Sequence, residues 1–213
     1  MSEVKEQEVK ISTMVLGTTV AKFDLPMKLV DDINDAYEKN EEKMPYHNDN
    51  LAGKIEEEKL VNAILTDEMK GTFNGCFKKY LELAKKPFWV TQLENAWIND
   101  MKAGEYNPLH YHSSDMTDLG LSSVFVLKRP STYGVEASIK DNPTNGWLQF
   151  TGGDQSPIST SQLAVDAKPG EFYVFPYTLL HGVYPFNGTE DVRRTMSYNC
   201  NLWKETAIKR KEK

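Results

Sequence analysis

The sequence predicts an α+β protein in which helices precede a β-sandwich or β-barrel. Before Pro87, apolar residues recur at the three- and four-residue spacing of amphipathic helices. After Pro87, short apolar runs are separated by turn residues, which is typical of strands. These runs are FWVTQL, AWIND, SSVFVL, WLQF, FYVF and RTMSYN. Helices followed by many short strands indicate an α+β fold, and a small antiparallel barrel has an open mouth where a ligand can bind.

The first predicted elements are a strand and a helix. Residues 13–22, TMVLGTTVAK, are rich in β-branched residues and predict an opening strand. Asp24 and Pro26 indicate the start of a helix. Its apolar face consists of Leu29, Val30, Ile33 and Tyr37. Residues 39–59 are polar and charged, and they predict a loop.

A second helix follows that loop. Thr66 or Asp67 can cap its first turn, and Pro87 ends it because proline cannot continue a helix. Its apolar face consists of Met69, Phe73, Phe77, Tyr80 and Ala84. We assign both helices to packing rather than to chemistry.

Composition limits the class of protein. A length of 213 residues suits one domain, and the net charge of -6 disfavours a general nucleic-acid binder, which needs a basic face. The sequence has no apolar run long enough to span a membrane. Because the only cysteines are Cys76 and Cys200, the expected compartment is a reducing cytoplasm, that of a host cell if the chain is viral. No feature predicts the oligomeric state.

The first candidate site motif is NPLHYHSSD, residues 107–115. It places His110 and His112 two positions apart, with Asp115 three positions further on. In a strand, side chains two apart share a face, which suits ligands that converge on one ion. The same spacing also fits a solvated turn. A partner elsewhere in the chain has to decide between the two interpretations.

The second motif is KPGEFYVFPYTLLHGVYPFNG, residues 168–188. FYVF predicts a buried strand that ends at Pro176, and His181 follows in a turn-like segment beyond the strand end. A histidine among apolar neighbours is more often a core residue than a ligand. Here it lies where a barrel has its mouth, and the 71 residues from His110 (181 − 110 = 71) leave room for several strands.

The third motif is RRTMSYNCN, residues 193–201. With a period of two, one face is wholly polar and consists of Arg193, Thr195, Ser197, Asn199 and Asn201. The other face consists of Arg194, Met196, Tyr198 and Cys200. The polar face either meets solvent or points into the barrel. In the barrel, the arginine would bind a carboxylate bidentately and hydroxyl groups would complete its hydrogen bonds.

In this order, the three motifs resemble the non-haem iron(II), 2-oxoglutarate-dependent oxygenases over roughly residues 95–202. The resemblance is greatest to a branch found in bacteria and bacteriophages, with NPLHYH before an LSSV strand and FPYTLLHGVYPF before RRTMSYN. It implies a double-stranded β-helix, a cupin-like jelly roll, with iron(II) and 2-oxoglutarate at its open end. The implied organisation is a single domain, 1–213. Residues 1–94 would supply a strand and supporting helices, 95–202 the catalytic core and 203–213 a basic tail.

The resemblance implies His110 and His181 as iron ligands and leaves the third ligand open. The usual family pattern is H-x-D, whereas this chain has Tyr111 and His112 at those positions. His112 would give a three-histidine site, and neutral imidazole suits iron. Asp115 is the alternative, and it would preserve the carboxylate if the backbone turns.

For 2-oxoglutarate, the resemblance implies Arg193 as the partner of the distal carboxylate, with Thr195 or Ser197 as the hydroxyl partner. Asn99 and Asn107 are polar positions near the site in the family layout. The strand SSVFVLK lacks the tyrosine that many relatives use against 2-oxoglutarate, so that contact has no assigned residue.

The expected function is therefore that of a dioxygenase, which hydroxylates a C–H bond and converts 2-oxoglutarate to succinate. The substrate would be a small molecule or a peptide, with membrane and nucleic-acid partners disfavoured. One alternative is a non-catalytic jelly-roll binding or structural module that retains the fold. Another is a zinc hydrolase, since three histidines also suit zinc.

Overall fold

The computed structural model describes residues 17–47, 53–135, 143–153 and 160–204. Two antiparallel sheets face each other, and two helices pack on the larger sheet. The elements in chain order are β1 (Ala21–Asp24), α1 (Met27–Asn40), β2 (Glu57–Leu60), α2 (Asp67–Leu83), β3 (Trp89–Met101), β4 (Asn107–His110), β5 (Gly120–Lys128), β6 (Leu148–Thr151), β7 (Gln162–Val165), β8 (Glu171–Pro176), β9 (Leu180–Val183) and β10 (Arg193–Lys204).

The major sheet has the strand order β1-β8-β5-β10-β3-β2, and the minor sheet has the order β4-β9-β6-β7. All neighbouring strands are antiparallel. This arrangement confirms the predicted α+β class and the double-stranded β-helix. β1 and β2 come from the N-terminal 94 residues, so this segment supplies both edge strands of the major sheet as well as the helices.

Alternation along β10 divides the interior into two cores. Met196, Tyr198 and Cys200 belong to the cluster that joins the major sheet to the helices, where Phe73 and Phe77 of α2 are fully buried. Burial of each such phenylalanine contributes about 1.5–3 kcal/mol. A second cluster joins the two sheets and consists of Val124, Val126, Leu148, Phe150, Ala167, Tyr173, Phe175 and Leu179. The odd-numbered residues at the start of β10 therefore face the space between the sheets.

Both predicted helices form with the predicted buried faces. α1 begins directly after Pro26 and buries Val30, Ile33 and Tyr37. At the start of α2, the Thr66 hydroxyl accepts a hydrogen bond from the backbone N–H of Met69 at 3.2 Å, which is the expected cap. Among the described residues, neither these helices nor any other is long and apolar enough to cross a membrane.

The predicted opening strand is displaced toward the C-terminus. β1 spans Ala21–Asp24 instead of residues 13–22, and residues 13–16 lie outside the described residues. Its limits follow its pairing with β8, from Ala21 opposite Val174 to Asp24 opposite Glu171. The hydrogen-bonding partner decides the boundaries of this strand, and β-branched content does not.

The predicted loop over residues 39–59 is wrong at its end, where β2 begins. Its sequence, EEKL, has no strand pattern, yet it pairs with β3 from Glu57 opposite Asp100 to Leu60 opposite Trp97. An edge strand receives its hydrogen bonds from its neighbour, which overrides a weak intrinsic preference. For a related reason, the runs FWVTQL and AWIND form one continuous strand, β3, because β10 pairs along its whole length.

Candidate metal centre

A cavity of about 730 Å³ lies between the two sheets, and all four histidines of the chain line it. Its walls include residues of β3, β5 and β10 from the major sheet and of β4, β6 and β9 from the minor sheet. Two of the sequence motifs meet on the minor sheet, because β4 pairs with β9 and places His110 directly opposite His181. His112 lies two residues beyond β4, where its backbone N–H donates to the Tyr177 carbonyl at 2.9 Å.

The three histidines converge closely enough to hold one ion. One ring nitrogen of each lies within 4.8 Å of those of the other two, and Nε2 of His112 is 3.2 Å from Nε2 of His181. Metal–nitrogen bonds of about 2.1 Å at a right angle would place two ligand nitrogens about 3.0 Å apart. The spacing therefore fits adjacent ligands of a metal ion.

His181 lies inside a strand, which corrects its predicted position in a turn-like segment. The segment Leu180–Val183 forms β9, between β4 and β6. The neighbouring Gly182 allows β4 to approach, because a Cβ atom there would lie 2.7 Å from the Asn107 carbonyl oxygen. His110 and His181 thus come from adjacent strands of the minor sheet.

Backbone carbonyl groups orient two of the three imidazole rings. Nδ1 of His110 is 2.8 Å from the Pro108 oxygen, and Nδ1 of His181 is 3.0 Å from the Leu179 oxygen. A carbonyl can only accept, so each Nδ1 carries the proton and each Nε2 presents a lone pair. This second-shell arrangement is typical of metal-binding histidines.

Burial keeps the three imidazoles neutral. Desolvation is the main cause that lowers the pKa of all three, to about 3 for His112 and well below the usual value for His181. Phe175, with its ring centroid 4.5 Å from that of His181, supplies part of the apolar surroundings. A metal ion requires the neutral form of histidine as its ligand, so this cluster is ready to bind one near neutral pH.

The structure brings His112, rather than Asp115, into the histidine cluster. Asp115 is exposed and lines the cavity, but it is outside the group of converging ligand atoms. The cluster among the described residues is therefore a set of three histidines without a carboxylate. This donor set fits iron(II) as well as zinc, because imidazole suits both metals.

The polar face of β10 points to the cavity. Thr195, Ser197 and Asn199 line it, as the two-residue period predicts. Arg193 is not itself among the lining residues, but it is two residues from Thr195 on the same strand and only 2% exposed. Its Nε and Nη2 have no hydrogen-bond partner, and burial lowers the pKa of its guanidinium group. A buried cation with free donors fits a carboxylate ligand such as that of 2-oxoglutarate.

Sequence reasoning missed Tyr133, whose hydroxyl group lies near enough to Arg193 to raise the pKa of the guanidinium group, against the effect of burial. Tyr133 follows β5 in an irregular segment, and its ring lies 5.5 Å from that of Phe186. Tyr133 lies five residues beyond the strand SSVFVLK (133 − 128 = 5) and is not among the residues that line the cavity. No local pattern marks it, because the contact with Arg193 joins residues 60 positions apart (193 − 133 = 60).

Three further polar side chains on the cavity wall lack partners. Asn99 and Asn107, expected near the site, both line the cavity, and the Oδ1 atom of each is buried without a hydrogen bond. Glu58 of β2, in the segment predicted as a loop, also lines the cavity with Oε2 unpartnered. Buried polar groups are normally satisfied within the protein, so such groups on a cavity wall indicate ligand contacts.

The fold and the convergent histidines define a double-stranded β-helix with a candidate metal centre in its cavity. Residues 95–199 match the family model described as putative 2OG-Fe(II) oxygenase. The matched residues make up just under half of the chain (199 − 95 + 1 = 105 of 213), and the match indicates an oxygenase that depends on iron(II) and 2-oxoglutarate. This match does not favour the alternative of a non-catalytic module.

Solved structures of similar fold include several oxygenases. A prolyl hydroxylase from Trichoplax adhaerens, in complex with a hypoxia inducible factor peptide fragment, has a TM-score of 0.57 at 11% identity, over 90% of this chain and 86% of that chain. The viral collagen prolyl hydroxylase of Paramecium Bursaria Chlorella virus-1, in complex with 2-oxoglutarate, has a TM-score of 0.51 at 17% identity. The match covers 86% of this chain and 94% of that chain. A carbocyclase from nogalamycin biosynthesis has a TM-score of 0.57 at 13% identity, over 86% of this chain and 79% of that chain. Such identities support the fold alone. Comparison with curated proteins finds no significant match.

Proposed function

We propose that His110, His112 and His181 hold the iron(II) ion of this oxygenase, and that the enzyme hydroxylates a C–H bond of its substrate. The observation that carries this proposal is the convergence of three neutral imidazoles, two of them oriented through Nδ1 by backbone carbonyls. Asp115 remains outside the proposed ligand set because it is exposed and apart from the cluster.

The three ligands come from one side of the cavity. His110 and His181 lie on adjacent strands of the minor sheet, and His112 follows β4 directly. Protein ligands on one face of an ion leave its other coordination positions open toward the cavity. The metal with bound 2-oxoglutarate supplies the oxygen chemistry, with decarboxylation of 2-oxoglutarate to succinate.

Arg193 is the proposed partner of the distal carboxylate of 2-oxoglutarate. Its unpartnered Nε and Nη2 can donate two parallel hydrogen bonds to one carboxylate, and Tyr133 lies near the guanidinium group. Thr195 is the hydroxyl closest to Arg193 along the polar face of β10, with Ser197 next. Asn99 lies directly opposite Thr195 on β3, so its free Oδ1 belongs to the same region.

The substrate class includes peptides and small molecules. The Trichoplax structure holds a peptide fragment, and the nogalamycin carbocyclase acts in small-molecule biosynthesis. We further propose a cytoplasmic location, which the free and buried state of Cys76 and Cys200 supports. The motif resemblance supports a bacterial or bacteriophage origin.

Anaerobic titration tests the assignment of the metal ligands. Addition of iron(II) and then 2-oxoglutarate to the wild-type protein is expected to produce the metal-to-ligand charge-transfer absorbance of the bound pair. His112→Ala is expected to lose that absorbance, while the matched variant Asp115→Ala retains it. The reverse result would assign Asp115 as the third ligand and overturn the three-histidine centre.

Turnover then tests the reaction. With oxygen present, the wild-type protein is expected to form succinate from 2-oxoglutarate only when iron(II) is bound, and a productive substrate should stimulate this formation. A screen of peptides, free amino acids and nucleotides for such stimulation would identify the substrate class. Succinate formation that does not depend on iron would contradict the proposal.

A further inference from the structure

We propose that Glu58 binds a positively charged nitrogen of the substrate, an ammonium or guanidinium group, and thereby selects a cationic substrate. This inference rests on the proposed function and assigns a substrate class to it. No part of the metal or 2-oxoglutarate assignment uses Glu58.

The position of Glu58 places its carboxyl group on the cavity wall. It pairs with Asn99 of β3, which in turn pairs with Thr195 of β10, so the three residues form one row on the cavity face of the major sheet. Glu58 is 1% exposed and lines the cavity, and its Oε2 has no hydrogen-bond partner. Buried polar atoms normally have a hydrogen-bond partner, so a substrate in the cavity can supply the partner that this oxygen lacks.

The two faces of β2 differ in the cations that lie near their carboxylates. Lys59, on the opposite face, lies 3.4 Å from a carboxylate oxygen of Glu41 and 3.5 Å from one of Glu57. No lysine or arginine lines the cavity within the described parts of the chain. Thus Glu58 has no internal cation with which to pair.

The charges around the cavity favour a cation. Besides Glu58, the lining carboxylates are Glu94, which accepts a hydrogen bond from Asn201 at 2.7 Å, and the exposed Asp115. The charges of iron(II) and of doubly ionised 2-oxoglutarate cancel each other. Carboxylates therefore determine the sign of the charge that the substrate meets, and complementarity requires a positive group.

An aromatic ring beside Glu58 adds a second feature that attracts cations. Trp97 lines the cavity and pairs with Leu60, two residues along β2 from Glu58. The Trp97 ring centroid lies 5.4 Å from that of His47 and 5.7 Å from that of His112. The face of a tryptophan attracts ammonium and guanidinium groups, so carboxyl group and ring can bind the same cation.

The protonation of Glu58 supplies a signature for the experiment. Burial alone raises its pKa to about 8. The other titratable groups on the cavity wall are the three clustered histidines, His47 of the segment before β2, Glu94 of β3, Tyr111 and Asp115 after β4, and Tyr177 after β8. Near neutral pH the carboxyl group is mostly protonated, and pairing with a cation requires its ionised form. Binding of the cation should therefore release close to one proton.

Calorimetry on the anaerobic complex of protein, iron(II) and 2-oxoglutarate tests this inference. The probes are Nα-acetyl-L-arginine methylamide and Nα-acetyl-L-lysine methylamide, with the citrulline and norleucine equivalents as neutral counterparts. Free arginine and lysine distinguish a free amino acid from a residue in a peptide. At least one cation is expected to bind, with release of about one proton at neutral pH, measured in buffers of different ionisation enthalpy. Glu58→Gln is expected to weaken this binding about 10- to 150-fold, as for the loss of a charge-assisted hydrogen bond.

Glu57→Gln is the matched control, because Glu57 is the adjacent carboxylate on the opposite face of β2. It should bind the probes as the wild type does. Both variants should retain the charge-transfer absorbance with unchanged 2-oxoglutarate affinity, which also shows that they fold. Glu58→Ala is the second variant if glutamine disturbs folding.

Failure of this inference differs from failure of the proposed function. Absence of the charge-transfer absorbance from the wild-type protein would refute the metal and cosubstrate assignment. With that absorbance intact, three results would overturn the role of Glu58. In the first, the charged and neutral probes bind equally well, or no probe binds. In the second, Glu58→Gln binds the cationic probe with wild-type affinity. In the third, Glu58→Gln binds 2-oxoglutarate more weakly than the wild type does.

Discussion

The two faces of the major sheet treat two adjacent arginines in opposite ways. On the helix face, Arg194 binds both carboxylate oxygens of Asp100 at 2.6 Å and one of Glu38 at 3.0 Å. Its guanidinium carbon also lies 4.5 Å from the centre of the Tyr37 ring. On the cavity face, Arg193 is still more deeply buried, and two of its nitrogens have no partner. One arginine is fully used by the fold, whereas the other has donors left for a ligand.

The groups opposite the two arginines show a related contrast. Asp100, opposite Arg194, is paired, whereas Asn99 and Glu58, which belong to the cavity row, each have an unpartnered oxygen. Unpaired buried polar groups cost stability, by about 1–3 kcal/mol each. The unpartnered groups of the cavity row therefore lower the stability of the protein where they can contact a ligand, whereas the pair of Arg194 and Asp100 is satisfied within the fold.

The largest expected effect is on metal binding. Replacing His110 or His181 with alanine should abolish stoichiometric iron(II) binding, because each removes one of three converging nitrogens. Metal content after dialysis measures the loss, and circular dichroism checks that the fold persists. Full iron occupancy in both variants would contradict the assignment.

Next in size is the effect of Arg194 on stability. Arg194→Met should lower the free energy of unfolding by about 3–5 kcal/mol, because it leaves the buried Asp100 carboxylate without its partner. Arg193→Met should be nearly neutral or stabilising, since it removes a buried cation in which two nitrogens lack partners. Urea unfolding of the metal-free proteins measures both. Equal losses would abolish the contrast between the two faces.

A pH effect of a few kcal/mol should arise from Glu58. Its pKa is about 8 in the folded protein and about 4.3 when unfolded, so the folded state binds more protons between these values. Its contribution to stability is full below about pH 4.3 and declines as the pH rises toward 8. From about pH 5 to about pH 7.5 the wild type should lose about 3 kcal/mol more than Glu58→Gln. Parallel pH profiles in urea unfolding would contradict the burial of this carboxyl group.

For 2-oxoglutarate binding, we expect the larger effect from Arg193, whereas for stability we expect it from Arg194. Arg193→Ala should weaken 2-oxoglutarate binding roughly 30- to 150-fold, from the loss of about 2–3 kcal/mol of charge-assisted hydrogen bonding. Arg193→Lys should recover only part of the lost affinity, because an ammonium group is a point charge and cannot bind a carboxylate bidentately as the planar guanidinium group does. Iron binding should persist. Arg194→Ala, in its folded fraction, should bind 2-oxoglutarate almost normally. Charge-transfer titration measures the 2-oxoglutarate affinity of all three variants. If Arg194→Ala weakened this affinity and Arg193→Ala left it unchanged, the assignment of the cosubstrate site to the Arg193 face would be wrong.

The smallest expected effect is that of Tyr133→Phe. Loss of the Tyr133 hydroxyl group, which raises the pKa of Arg193, should weaken 2-oxoglutarate binding by about 1 kcal/mol, or roughly fivefold. The same titration measures it. An effect as large as that of Arg193→Ala would show that Tyr133 contacts 2-oxoglutarate directly.

The regions that the sequence predicted well are those with strong periodicity. The three-residue and four-residue spacing in α1 and α2 identified their buried faces, and the Thr66 cap formed as expected. The two-residue period of β10 correctly separated Arg193 from Arg194. In each case the pattern follows from local backbone geometry, which places the side chains before any partner is known.

The errors occurred where a distant partner decides the structure. EEKL became β2 because β3 supplies its hydrogen bonds, and His181 joined a strand because β4 and β6 lie on either side. Tyr133 and Glu58 escaped notice for the same reason, since their roles come from neighbours far along the chain. Neither has a local motif.

By itself, the sequence determined that two helices precede most of the strands, which residues of β10 share a face, and which histidines and arginine resemble an oxygenase site. Only the tertiary structure decided that His112 joins His110 and His181, while Asp115 stays exposed. It also decided which buried polar groups remain without partners. The physical reason is that side-chain direction follows from local geometry, whereas convergence on one ion and the satisfaction of a buried group depend on strand pairing across the fold.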